Sequence, residues 1–195
     1  MAVMGCVTSM ADAWEIFADT NGQNNATTAE FYGIEFLSGS VEQFIQSVTY
    51  DLSVDAGAFF DLDGGQNFGR KTEPYLGTLV GLTAGNITFD LLDPVDGDPL
   101  HPARLRFNFT ADSFGVGDSL RFAADTDFFV SDPAPGSVFG QAGAPISATM
   151  FGGAFGSANF AVVSDTRSEA IITPEPATVA LLGLGSLAFL RKRRV

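Results

Sequence analysis

The sequence predicts an all-β protein, a β-sandwich or jelly-roll-like domain followed by a short C-terminal hydrophobic helix. Three observations support this fold class. Apolar and polar residues alternate with a period of two in several short segments, which is typical of strands that bury one face. Clusters of Gly, Pro, Asp and Ser separate these segments, as expected of turns. Near the end of the chain, residues 177–190 form a mostly apolar run rich in Ala and Leu, which are good helix formers.

The alternation is clearest in residues 48–55, where Val48, Tyr50, Leu52 and Val54 alternate with polar residues. All four apolar side chains are therefore predicted to point into the core. Similar alternation, or a short apolar run between turns, predicts further strands at 30–37, 87–91, 104–109, 120–122, 146–151, 158–164 and 169–172.

Predicted turns separate the strands at 38–40, 63–65, 93–99, 115–118, 132–136 and 152–153. Roughly eight to ten strands at this spacing fit a β-sandwich or jelly roll. The chain contains 19 Phe residues, and these large side chains are expected to fill the layer between the sheets.

The chain divides into four predicted parts. Residues 1–13 are interpreted as a truncated signal peptide, since an apolar stretch precedes Ala11-Asp12-Ala13, an A-x-A cleavage pattern. Residues 14–164 form the β-sandwich domain, 165–172 a stalk, and 173–195 a C-terminal signal. Cys6, the single cysteine, would leave with the signal peptide, so the mature domain would be stabilised by packing without a disulfide.

The predicted domain is strongly acidic. Residues 14–173 hold 21 of the 23 acidic residues but only 6 of the 10 basic ones. Such a surface repels nucleic acid and anionic lipid, so nucleic acid is not an expected partner. The charge suits an extracellular domain that stays soluble or binds cations or neutral glycans.

The C-terminal signal has three parts in a fixed order. Pro174-Glu175-Pro176 precedes the apolar run, and Arg191-Lys192-Arg193-Arg194 follows it. As a helix, the run would span about 21 Å, less than the roughly 30 Å hydrocarbon core of a bilayer. The four cations can reach the interface and extend the span. By the positive-inside rule, they place the domain outside the cytoplasm.

These three parts resemble the PEP-CTERM sorting domain of exported bacterial proteins. Thr173 departs slightly from that pattern, in which Val or Ile is common at this position. The resemblance implies recognition and cleavage near Pro-Glu-Pro by an exosortase, a protease–transpeptidase of the inner membrane, in a Gram-negative host that makes exopolysaccharide. The protein would be held transiently in that membrane and then reach the cell surface or the extracellular space.

Residues for catalysis are few, and we expect the protein not to be an enzyme. His101 is the only histidine, and it lies in a proline-bounded loop without a G-x-S-x-G motif nearby. A pair of carboxylates for glycoside hydrolysis stays open, because spacing in sequence does not give the separation in space.

Calcium is the one cofactor that the sequence suggests. Asp125 and Asp127 place two carboxylates on the same side of an extended segment, and Asp118 lies close in sequence. Calcium prefers such oxygen ligands, although Asp is also a common turn residue. A carbohydrate-binding module, with calcium assistance, is therefore an alternative to a non-catalytic matrix component. It would need exposed aromatic side chains, and Trp14, Tyr32, Tyr50 and Tyr75 are the only Trp and Tyr residues.

Overall fold

The computed structural model describes residues 13–21, 30–54, 58–62, 72–128 and 143–175, with only the backbone of Asp127 and Phe128. These residues form strands and one 3₁₀ turn, Ala84–Asn86. The strands are β1 Glu15–Asn21, β2 Tyr32–Ser38, β3 Ile45–Asp51, β4 Ala58–Asp61, β5 Tyr75–Val80, β6 Ile87–Pro94, β7 Pro102–Phe109, β8 Ser119–Ala123, β9 Asp125–Phe128, β10 Pro145–Met150, β11 Phe155–Asn159, β12 Ala161–Ser164 and β13 Arg167–Ile172.

Two antiparallel sheets form a sandwich-like arrangement, as the sequence predicts. One has six strands in the order β12-β13-β1-β2-β8-β5, and the other has five in the order β11-β10-β3-β7-β6. Their inner faces meet in an aromatic layer. Phe122 of the six-stranded sheet lies with its ring centroid 4.4 Å from that of Phe107 and 5.2 Å from that of Tyr50, both in the five-stranded sheet. The prediction that Phe residues fill this layer is confirmed.

A hydrogen bond also crosses the layer. The Tyr50 hydroxyl donates to the carbonyl oxygen of Gly33, at 3.0 Å. Burial raises the pKa of Tyr50, so the hydroxyl stays protonated and available as a donor. The bond ties a core side chain of one sheet to the backbone of the other.

A two-stranded ribbon joins the sheets at one end. β4 pairs with β9, and these strands follow β3 of one sheet and β8 of the other along the chain. Phe60 of β4 is fully buried in the main core. We call this the far end of the sandwich, because the chain leaves the domain at the opposite end.

Three features differ from the sequence prediction. The segment 165–172, expected to be a stalk, contains β13, which pairs with both β1 and β12. Val54, expected in the core, is exposed, because β3 ends at Asp51 and the chain turns. The strand predicted at 158–164 is two strands, which are separated at the buried Phe160. The predicted helix at 177–190 and residues 1–12 of the predicted signal peptide (1–13) lie outside the described residues.

Candidate functional site

The first two residues of the Pro-Glu-Pro motif are part of the folded domain. Beyond β13, Pro174 forms an antiparallel bridge with Gly156 of β11. The backbone N–H of Glu175 donates to the carbonyl oxygen of Phe155, at 3.1 Å. β13 belongs to the six-stranded sheet and β11 is the edge of the five-stranded sheet. The end of the described chain therefore joins the two sheets, opposite the β4–β9 ribbon.

Pro174 suits its place in this bridge. In an antiparallel pair, directly opposite residues alternate between hydrogen-bonded and non-hydrogen-bonded positions. Because Glu175 donates to the residue before Gly156, Pro174 and Gly156 occupy a non-hydrogen-bonded position. The missing N–H of proline thus costs no hydrogen bond here.

Gly156 permits the close approach of the chain end. A Cβ atom at this position would overlap the carbonyl oxygen of Thr173 and would lie 2.7 Å from Cη2 of Trp14. Real side chains do not tolerate such separations, so only glycine fits without a shift of the backbone. The sequence gives no local sign of this role, since residues 156 and 173 are far apart along the chain.

The two ends of the domain meet at this point. β1 and β13 pair antiparallel, with Ile16 opposite Ile172. Trp14 is buried and packs in the core beside Gly156. The predicted signal-peptide boundary, just before Trp14, therefore lies next to the start of the Pro-Glu-Pro motif.

The rest of the predicted signal lies outside the described residues, namely Pro176, Arg191, Lys192, Arg193 and Arg194. Within the described ranges, the structure contains no helix with the length and hydropathy that a membrane crossing requires.

The residues predicted to bind calcium do not lie in one place. Asp118 precedes β8 and its carboxylate accepts the N–H of Gly115, at 2.7 Å. Asp125 lies beyond the other end of β8. At the rise per residue of a strand, it is about 20 Å from Asp118. Asp125 and Asp127 both lie in β9, so the expectation of an extended segment is confirmed, but the side chain of Asp127 is not described.

Metal binding at β9 stays a prediction. No three His, Cys, Asp or Glu side chains within the described ranges form a group that could hold a metal ion. Asp118 lies too far from β9 to share a calcium ion with Asp125. A calcium titration of the thermal unfolding midpoint, in wild type and Asp125→Asn, tests the site at β9 itself.

His101 lies in the loop between β6 and β7, as predicted, but it has two acidic neighbours that the sequence did not reveal. Its Nδ1 is 2.8 Å from Oδ2 of Asp96, and its Nε2 is 3.8 Å from Oδ1 of Asp61 in β4. The Phe59 ring lies 4.6 Å from the imidazole, between centroids. The hydrogen bond with His101 and the backbone N–H of Asp98 lower the pKa of Asp96. This cluster connects the β6–β7 loop to the ribbon.

A second charged cluster lies on the outer face of the six-stranded sheet. Asp19 of β1 is only 2% exposed in its side chain, and its Oδ1 is 2.6 Å from Nη1 of Arg121. Nη2 of Arg167 lies 3.5 Å from Oδ2 of Asp19, and the same arginine also pairs with Glu169. Gly33 lies beneath this carboxylate, where a Cβ atom would overlap it. The arginines neutralise a buried charge, which has a structural role.

The Trp and Tyr residues do not form the exposed aromatic platform that a carbohydrate-binding module would need. Trp14, Tyr32 and Tyr50 are buried in the core, and Tyr75 is half-buried in the edge strand β5. The large apolar side chains that are exposed include Phe151 and Phe155, which lie beside the start of the Pro-Glu-Pro motif.

Taken together, the fold and the chain end define a β-sandwich domain with a C-terminal signal attached directly to its last strand. Residues 173–194 match the family model of the PEP-CTERM protein-sorting motif. The chain thus carries the signal of exosortase-targeted proteins, which implies export through a membrane-anchored sorting step to the cell surface. Searches of the curated proteins and of the solved structures found no match.

Proposed function

We propose that the protein is a non-catalytic component of the extracellular matrix or cell surface, released from the inner membrane by an exosortase and associated with exopolysaccharide or biofilm. The observation that carries this proposal is the match of residues 173–194 to the sorting motif. The domain stands outside the cytoplasm while the basic residues Arg191–Arg194 remain inside.

The domain itself supports a structural role. Its strongly acidic composition favours solubility, and the space between its two sheets is filled by one hydrophobic cluster rich in aromatic side chains. The burial of Trp14, Tyr32 and Tyr50 weighs against a carbohydrate-binding module that would use these side chains. A carboxylate-dependent hydrolase has no specific observation in its favour.

The sorting step is tested by fractionation in a host that contains the exosortase. Wild type should give a processed protein in the surface or medium fraction, and mass spectrometry should place its new C-terminus near Pro-Glu-Pro. Glu175→Ala should accumulate unprocessed in the membrane fraction, because the motif is altered. Thr173→Val, which restores the residue common in this signal, is the matched control and should be processed normally. Equal processing of all three proteins would contradict the proposal.

A chain that lacks residues 174–195 should not be held at the membrane at all. Fractionation of this deletion in the same host separates retention by the signal from retention by the domain. If the deletion stayed with the membrane as wild type does, the signal would not be the sorting element.

A further inference from the structure

The distribution of exposed apolar side chains is uneven along the sandwich. Ten large hydrophobic residues are exposed in the described part of the chain, and seven of them lie towards the end where the chain leaves the domain. These seven are Leu37, Val41, Val80, Val116, Phe151, Phe155 and Ile171, with exposed fractions from 36% to 89%. We call this group the exit surface.

Backbone hydrogen bonds show that the loops carrying the exit surface are neighbours. Phe151 in the β10–β11 turn donates to Phe44 in the β2–β3 loop, and Ile45 donates to Phe114 in the β7–β8 loop. Gly81, after β5, lies against the carboxylate of Asp118 in the β7–β8 loop. The chain exit is joined to the same group, because Glu175 donates to Phe155. Val41, Val116 and Phe151 lie in turns, where core packing does not require an apolar side chain.

The link between the domain and the apolar run is too short to hold the exit surface away from a membrane. Only Pro176 separates Glu175 from the apolar run that begins at Ala177. From residue 175 to residue 177 an extended chain reaches about 7 Å. The headgroup zone on each side of the hydrocarbon core is about 5–8 Å thick. With the run in the bilayer, the exit surface therefore lies at the depth of the headgroups.

The short length of the apolar run also brings the exit surface closer to the membrane. Its 14 residues span about 21 Å as a helix, against a hydrocarbon core of about 30 Å. A short span is accommodated by local thinning and by drawing the flanking residues towards the core. The domain has no stalk and is joined to this segment at Glu175, so it is drawn towards the membrane together with the flanking residues.

We propose that the exit surface is a membrane-contacting surface, and that it rests on a zwitterionic bilayer while the C-terminal signal is inserted. This inference depends on the membrane step of the proposed function. Transfer of exposed apolar side chains, and of Phe in particular, from water into the membrane interface lowers the free energy. Glu42, Asp112 and Asp118 lie in the same loops, and their charge disfavours an anionic lipid surface. The contact orients the domain with its far end away from the membrane.

The test uses the full chain in phosphatidylcholine vesicles, with Cys6→Ser to leave a single labelled cysteine. An environment-sensitive fluorophore is placed at Val41→Cys or at Val116→Cys, both in turns of the exit surface. The matched control is Val54→Cys, an exposed valine in the turn after β3, towards the far end. Labels at 41 and 116 should be quenched by nitroxide-bearing lipid and protected from an aqueous quencher. The label at 54 should show neither effect.

The outcomes separate this inference from the proposed function. If the chain does not float with the vesicles, the membrane step fails and both ideas are overturned. If it floats but labels at 41 and 116 behave like the label at 54, only the exit surface is overturned. Protection of the same labels without lipid would indicate contact with a second copy and would also overturn it. Addition of anionic phosphatidylglycerol should reduce the lipid quenching at 41 and 116; stronger quenching would contradict the zwitterionic assignment.

Discussion

At the scale of the residue, Gly156 determines whether residues 173–175 can pack against β11. A side chain there would collide with Thr173 and Trp14, so Gly156→Ala should lower the free energy of unfolding by about 1–3 kcal/mol through overpacking. Urea unfolding monitored by Trp14 fluorescence measures the change. The matched control is Gly85→Ala, where the nearest atom would be 3.9 Å away. Equal midpoints for the two variants would show that the approach is not tight.

Arg121 is the second residue with a specific expected effect. Asp19 is almost completely buried and depends on Arg121 for its shortest ion pair. Arg121→Ala should lower the free energy of unfolding by about 3 kcal/mol, because it leaves a buried carboxylate with only the longer contact to Arg167. Arg104→Ala serves as the control. Arg104 pairs with Asp93, which is mostly exposed, so the loss should stay below about 1 kcal/mol. A similar cost for both would contradict the structural role of the Asp19 cluster.

At the scale of the element, a titratable contact between Asp96 and His101 lies within the β6–β7 loop and positions His101 beside Asp61 of β4. The pKa of Asp96 lies below its ordinary value of 3.8, first because His101 hydrogen-bonds its carboxylate. A group whose pKa is lower in the folded than in the unfolded state stabilises the folded state at pH values above its unfolded pKa. The contribution is lost as the pH falls through the folded value. Acidification from about pH 5 to well below the ordinary pKa of Asp96 should therefore weaken this contact within the loop.

Urea midpoints across this pH range test the contact through a double-mutant cycle. The coupling between His101→Asn and Asp96→Asn should be present near pH 5 and should decrease towards zero at the acidic end. Asp61 of β4 faces His101, and Asp98 lies in the same loop as Asp96. Neither residue is substituted in the cycle. A coupling that is independent of pH would mean that the Asp96 carboxylate does not carry the effect.

β13 shows why an element can be missed at a predicted boundary. Arg167, Glu169 and Ile171 point to the outer face of the sheet while Ser168, Ala170 and Ile172 are buried. The alternation is present, yet small or polar residues occupy two of the three inner positions. A polar segment before an anchor has the same composition as a stalk. A strand is distinguished from a stalk here only by the backbone pairing of the segment on both edges, with β1 and with β12.

At the scale of the whole molecule, the folded domain includes two residues of Pro-Glu-Pro, Pro174 and Glu175. A mature chain that ends at Thr173 should therefore be less stable than one that ends at Glu175, by about 1 kcal/mol for the lost hydrogen bond and bridge. Urea unfolding of the two truncated proteins measures the difference. Indistinguishable midpoints would show that the bridge to β11 contributes nothing to stability.

The sequence predicted the sandwich because its central strands bury one face. Val48, Tyr50 and Leu52 follow that pattern and are all in the core. β1 does not follow it, since Asp19 is buried on the outer face by arginines from β8 and β13. The ribbon strands β4 and β9 have four residues each, too few for a period to show. Pro174 and Glu175 could be recognised as part of a motif from the neighbouring sequence. The bridge from Pro174 to Gly156 could not be predicted, because it is a contact between residues far apart in the sequence.

The position of β13 also has a mechanical consequence. This strand runs towards the chain exit and is hydrogen-bonded on both sides, to β1 and β12. A pull between the C-terminus and the far end of the domain acts along the strand axis. The hydrogen bonds on both sides then bear the load together instead of breaking one after another. A domain tethered by its last residues can thus resist traction from its surroundings without a disulfide.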